Sequence, residues 1–489
     1  MASLADASPP IALGALDGRY RAAAAPLVDH LSEAALNRER VHVEVEWLIH
    51  LTTNAVVPGV RALAAAEQGQ LRAIVQDFNV EDVAELAEIE RETAHDVKAV
   101  EYYLKRRLTM IASTDLIAST DMSPSKDLSA GKDATGLAGI SELVHFACTS
   151  EDINNLSYAL MVKGAVEQVW LPRATALVDA VAGMARDLRD VPLLAHTHGQ
   201  PATPTTMGKE IAVFAYRLRR QLARIGRAEY LGKLNGATGT YGAHVAAVPG
   251  ADWPTISKAF VESLGLHWNP LTTQIESHDW QAELYSDLAR FNRILHNLCT
   301  DFWTYISMGY FAQVRGQGTV GSSTMPHKVN PIRFENAEAN LEMSNALLDV
   351  LASTLVQSRM QRDLTDSSMQ RNIGTAFGHS LLAIDNASRG LAGLDVVPAA
   401  MAADLDANWE VLGEPIQSAM RALGAQGVPG MGNPYERLKE LTRGRRITGD
   451  GLREFVSGLG LPSEVEKRLL EMTPQTYVGL APQLVDYLD

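Results

Sequence analysis

The most regular feature of the chain is a row of apolar residues at steps of three and four between Glu276 and about Gln313. Trp280, Leu284, Leu288, Phe291, Leu295, Leu298, Phe302 and Ile306 fall on it, and no proline interrupts them. That spacing keeps one face of a 3.6-residue helix apolar and predicts a single long helix. The same reading predicts helices near 154–170, 172–190, 207–230 and 335–361, with Pro172 tolerated in a first turn. Long helices in series bury such stripes by lying side by side, so a central bundle is expected over 141–395. Stripes of this length commonly extend across subunits, so an oligomer is expected too.

The flanks differ. Residues 1–140 mix helical segments with loops. In ERETAHDVKAVEYYLKRRL (90–108), Val97, Val100, Leu104 and Leu108 form one apolar stripe and predict a helix. Residues 112–137 are rich in Ser, Thr, Asp, Lys and Gly without apolar periodicity, which predicts a long exposed loop. Beyond Pro398 the helical stretches shorten and are broken by glycine and proline, as in GVPGMGNPYE, so a small helical domain is expected over 396–489. Its RLKELTRGRR run reads as a solvated charged face.

Composition narrows the class. Of 489 residues, 46% are hydrophobic and 21% charged, as in a soluble globular protein. Lys plus Arg is 43 against 58 Asp plus Glu, a net charge of −15. That argues against nonspecific nucleic-acid binding, which needs a broad basic surface, though a few cations can still hold a small anion in a cleft. Cys148 and Cys299 lie far apart and read as reduced thiols. MASLADASPPIAL lacks the cationic and apolar parts of a signal peptide, and no apolar run is long enough to cross a bilayer, so a cytoplasmic protein with no membrane partner is expected.

Five polar islands interrupt the helical pattern. DGRY carries Arg19 and Tyr20; alone it reads as a turn with an exposed arginine. AHDVK puts His95 and Asp96 near a helix start, where the acid could simply complement the helix dipole. HFACTSEDINN places Thr149, Ser150 and Glu151 before a long helix; capping explains much of this, and hydroxyls with free N–H groups there also suit an anion. In LAHTHGQPATPTTMGKE, His196 and His198 alternate, so on extended backbone they share a face. Two ligands are too few for a metal site, and an acid–base histidine fits better. The fifth island is densest: GSSTMPHKVNPIRFENAE, then SRMQRDLTDSSMQR, with Lys328, Arg362 and Arg371 near Asn330, Asn336, Ser367 and Ser368. Its flanks are core-forming helix, where polar groups are expensive unless paired or used. No P-loop, HExxH or CxxC occurs, so nucleotide chemistry of the P-loop type is disfavoured.

GSSTMPHKVNP (321–331) closely resembles the signature loop of the fumarase/aspartase superfamily, G-S-S-x-M-P-x-K-x-N-P. DGRY, HDVKAVEY, HFACTSEDINNLS, THGQPATP, NPLTTQIESHD and QRDLTDSSMQRN resemble one of its families, the adenylosuccinate lyases of the longer bacterial type, over nearly the whole chain. The resemblance implies an all-α, three-domain subunit (1–140, 141–395 and 396–489) whose central bundle assembles into a homotetramer with active sites shared between subunits. It implies β-elimination of fumarate from a nucleotide substrate, with no cofactor and no metal. By the same resemblance Ser322 is the general base, His198 the general acid, and Glu335 the acid that orients the histidine. Arg19, Tyr20, His95, Asp96, Thr149, Ser150, Gln274, Ser323, Lys328, Asn330, Asn336, Arg362, Ser367 and Arg371 then contact substrate. Gly316, Gly318 and Gly321 would let the loop close over it. The family's pattern departs at Ala94, where members carry an amide, and at 112–137, which resembles an insertion. A sister enzyme such as argininosuccinate lyase, or a protein that kept the fold and lost catalysis, is the rival reading; Ser322, His198 and Lys328 are all present.

Overall fold

A computed structural model of the chain describes residues 13–119, 136–314, 329–442 and 447–489. The architecture is helical, with four brief two-stranded pairings among the described residues. The chain divides into two compact units. One comprises 1–173, 223–292 and 340–383; the other comprises 174–222, 293–339 and 384–489. Each boundary falls inside a helix rather than in a linker.

In the first unit the helix Glu33–Thr53 starts on Ser32, whose hydroxyl accepts the Ala35 N–H at 3.0 Å. It packs with Ala65–Gln76, Val80–Thr93 and Asp96–Ser119 around Val41, Leu48, Leu71, Phe78, Val100 and Leu104. The stripe Val97, Val100, Leu104 and Leu108 is buried. The single helix expected over 90–108 is broken, however. Ala94 takes the left-handed conformation (φ 51°) and ends the preceding helix, and the next begins at Asp96. His95 caps the new start, its Nδ1 accepting the Lys98 N–H at 3.2 Å. The loop expected at 112–137 also needs correction, because the helix continues to Ser119, with the Ser113 hydroxyl satisfied by the Thr109 carbonyl. Residues 120–135 lie outside the described residues.

The helices expected at 154–170 and 172–190 form one helical run. Ser150–Gly164 passes through a π-helical turn, Ala165–Trp170, into Leu171–Asp187. The Leu171 N–H reaches back to the Val166 carbonyl. Pro172 has no N–H and its ring crowds the carbonyl four residues earlier; the wider turn just before it opens the space. So the proline sits inside the run, not in a first turn.

The long helix runs from Asp279 to Ser307, and its stripe from Trp280 to Phe302 is buried. It stops before Gly309 (φ 75°), after which Phe311–Gln313 pairs antiparallel with Leu394–Val396. The C-terminal helices from Gly413 onward enclose their own apolar cluster, including Ile416, Met420, Leu452 and Val456.

Candidate active site

The first unit draws residues from three of the polar islands into one hydrogen-bonded chain. Arg371 lies 3.2 Å from Asp96, and Asp96 lies 2.6 Å from Arg40. The Arg40 Nε donates to Asn154 at 2.9 Å, Asn154 donates to Glu151 at 2.8 Å, and Glu151 holds Arg362 at 2.9 Å. Arg362 reaches Gln274 at 3.4 Å, and Gln274 donates to the Ala237 carbonyl at 2.9 Å. Burial pushes the Asp96 carboxyl up, but Arg40 and Arg371 outweigh it and hold the group below its ordinary range. Arg371 also pairs with Glu33. Beside it, Asp17, Arg21, Glu33 and Arg371 line a cavity of about 520 Å³, which brings the DGRY segment next to this chain. Arg19 is exposed, its guanidinium 5.9 Å from the centre of the Tyr20 ring.

Thr149 stands at the N-cap of the helix Ser150–Gly164. Asp152 accepts the Thr149 N–H at 2.8 Å, the reciprocal half of a capping box, so the capping reading of TSED holds. Asp152 also takes the ammonium of Lys233 at 2.9 Å and the Asn235 N–H at 2.9 Å; both charged side chains are 0% exposed. Immediately upstream, His145 and Ala147 are left-handed (φ 60° and 59°). Glu44 holds that loop by accepting the His145 N–H at 3.0 Å and contacting its Nδ1 at 2.6 Å. Burial lowers the His145 pKa, yet the bond and charge of Glu44, with Glu101 and Asp152, raise it overall above the ordinary 6.5. Between these groups Cys148 is a free thiol, pushed well up by burial and by Asp152 and Glu44; Cys299 is free, buried and likewise raised.

The second unit carries His198. The reading that His196 and His198 share an extended face does not hold. His196–Thr197 pairs antiparallel with Gln200–Pro201, and the two residues between are left-handed, His198 at φ 56° and Gly199 at φ 73°. That is the two-residue hairpin turn whose twist matches its strands, and it puts the exposed imidazole of His198 at the tip. His196 instead lies 3.9 Å from Asp404. Glu335, in the first turn of Ile332–Leu355, accepts the Trp303 indole N–H at 3.2 Å; no bond joins it to His198 within the unit. Asn330 is exposed and Asn336 half-buried in this same stretch, and Ser367 follows Asp366, which accepts its N–H at 2.7 Å. Ser322, Ser323 and Lys328 lie outside the described residues. Among the described residues no group of three or more His, Cys, Asp or Glu side chains could hold a metal.

Arg40, Glu44 and Asn154 were not singled out from the sequence as parts of a site, and Glu151 was named only within its polar island. Arg40 and Glu44 carried a signal: two charges four residues apart inside RERVHVEVEW, on a helix whose neighbours Val41, Val43 and Val45 are core.

A family model described as "Lyase" matches residues 18–344, and one described as "Adenylosuccinate lyase C-terminal" matches 358–478. The chain is 48% identical over 477 residues to the adenylosuccinate lyase of Escherichia coli strain K12, covering 98% of each. It is 46% identical over 478 residues to that of Vibrio cholerae serotype O1, again covering 98% of each. Among solved structures, a fumarate lyase from Mesorhizobium sp. BNC1 superposes with a TM-score of 0.71 at 19% identity, over 95% of this chain and 97% of that one. The 3-carboxy-cis,cis-muconate lactonizing enzyme of Pseudomonas putida gives 0.68 at 19% identity, over 95% and 96%. The structural likenesses establish the helical-bundle fold, and the full-length identities go further: the chain belongs to the adenylosuccinate lyase family of the fumarase/aspartase superfamily.

Proposed function

We propose that the chain releases fumarate from adenylosuccinate, giving AMP, and from succinylaminoimidazole carboxamide ribonucleotide, giving aminoimidazole carboxamide ribonucleotide. Ser322, as an oxyanion, removes the proton from the carbon beside a succinyl carboxylate. That electron pair becomes the new C=C bond, the C–N bond breaks on the opposite side, and His198 protonates the departing nitrogen. A serine hydroxyl is a weak base in water, so Lys328 and nearby N–H groups must stabilise the alkoxide and the charge that develops on the carboxylate. Glu335 would orient the histidine. Arg19, Tyr20, His95, Asp96, Thr149, Ser150, Gln274, Ser323, Asn330, Asn336, Arg362, Ser367 and Arg371 would bind the substrate, the arginines by bidentate contact with phosphate and carboxylates. The reaction needs neither cofactor nor metal in this scheme.

One observation carries the reading: the chain from Arg371 through Asp96 and Glu151 to Arg362 and Gln274 gathers cations and an amide from islands far apart in sequence. A homotetramer with shared sites and a cytoplasmic location complete the proposal. Exposed apolar side chains on long helices support assembly, among them Tyr216 on Met207–Ile225 and Met343 on Ile332–Leu355.

The test is fumarate release, followed by absorbance, from adenylosuccinate beside argininosuccinate. Turnover of the first alone is expected; turnover of the second alone would transfer the chain to the sister activity. Ser322→Ala should abolish turnover, and His198→Gln should lower kcat by about 10² or more with nucleotide binding retained.

A further inference from the structure

His278 has no part in the scheme above, yet its surroundings are those of a working group. The side chain is 1% exposed and its backbone is left-handed (φ 61°), a conformation that a residue other than glycine keeps only where its neighbours enforce it. Glu276 fixes it by accepting the His278 N–H at 2.8 Å. Gln370 Nε2 stands 3.5 Å from Nδ1, so Nδ1 accepts and the ring proton sits on Nε2. That nitrogen faces Asp366 Oδ2 at 3.5 Å, and both atoms are enclosed without another hydrogen-bond partner among the described residues. Enclosed donors and acceptors left unmade are costly, so a donor and an acceptor facing each other form a bond with a small side-chain movement.

Asp366 is where this matters. Its Oδ1 accepts the Ser367 N–H at 2.7 Å and lies 3.8 Å from Arg362 Nη2, while Arg362 Nε is enclosed and has no hydrogen-bond partner among the described residues. Untethered, the carboxylate would close that gap and occupy the guanidinium itself. Tethered by the imidazole, it balances the arginine without closing on it. Arg362, held here by Glu151, and Arg371, held by Glu33 and Asp96, bring two guanidiniums onto one segment with the Ser367 hydroxyl, the donor set that the three oxygens of a phosphate monoester would take over.

We propose that His278 is a positioning residue for the phosphate of the nucleotide: by donating from Nε2 to Asp366 it keeps Arg362 and Ser367 set for that group. The proposal rests on the lyase reading. Its test is product inhibition of full-length enzyme by AMP and, separately, by fumarate, in His278→Met and His278→Gln. The first variant keeps volume and removes the donor; the second returns an amide donor near the Nε2 position. The AMP inhibition constant should rise about tenfold or more in His278→Met, return to within about threefold in His278→Gln, and be matched by little change for fumarate. Equal weakening toward both products, or no recovery in His278→Gln, would mean a merely structural role and overturn the proposal. If His278→Met does not fold, Asp366→Asn carries the same comparison: selective loss toward AMP supports the assignment and equal loss overturns it. An inactive wild type would be a different failure, that of the lyase reading, and would take this proposal with it.

Discussion

Single residues show where the sequence spoke plainly and where it could not. Asp96, Thr149, Arg362 and Arg371 were legible because each is a polar group set among helix-forming apolar residues, and three of them join one hydrogen-bonded chain. Arg40 and Asn154 complete that chain but were not read as doing so, since a pairing between residues 114 positions apart leaves no local trace. Ala94 shows the converse: a departure from the family pattern gains a physical meaning once the backbone is seen. It occupies a left-handed helix end, where an asparagine tolerates the conformation better than alanine does. Ala94→Asn should therefore raise the unfolding free energy by about 1 kcal/mol, read from denaturant midpoints. His145 gives a pH dependence. Because its folded pKa is raised above 6.5, its pairing with Glu44 contributes fully below that value and fades as pH rises through the folded pKa. The stability gap between wild type and Glu44→Gln should thus be largest near pH 6 and narrow toward pH 9; a gap that widened would reverse the sign argued here.

Elements were legible where apolar spacing alone decides, as in Asp279–Ser307, and misjudged where backbone detail decides. The π-helical turn before Pro172 joins what looked like two helices, and the hairpin at His198 replaces what looked like an extended strand. Both depend on one turn's geometry, which periodicity does not encode. At this scale the helix Ser150–Gly164 rests on the buried Asp152–Lys233 pair. Asp152→Ala should destabilise the fold by about 3–5 kcal/mol, because it strands an enclosed ammonium. Adding Lys233→Met should recover much of that loss, as measured by chemical denaturation, since two well-packed apolar groups are often neutral in place of an ion pair. Activity should stay low in the double variant, because the cap that sets Thr149 is gone.

For the molecule as a whole, the helical class was legible from the length and number of the apolar stripes, and family membership from motifs spread across the chain. What the stripes could not reveal is which faces remain uncovered in one subunit; Tyr216, Trp303 and Met343 do. The proposal that sites are shared between subunits can be tested by a mixing experiment. Ser322→Ala and His198→Gln, each inactive alone, should regain about a quarter of wild-type activity when their subunits are unfolded together and reassembled, if base and acid come from different copies. The regained activity should travel with a species near four times the 53.0 kDa subunit mass; no recovery would place both groups on one subunit.

The two thiols, Cys299 buried and Cys148 half-buried, give the protein a built-in clock. A cysteine held protonated reacts slowly with alkylating reagents, so iodoacetamide should label Cys299 only in molecules that have opened. Cys148 precedes Thr149 and sits on the loop that Glu44 clasps, so its labelling reports that loop in particular. Nucleotide that tightens the neighbourhood would slow the modification of Cys148 more than that of Cys299, and occupancy could be followed by mass spectrometry without installing any probe.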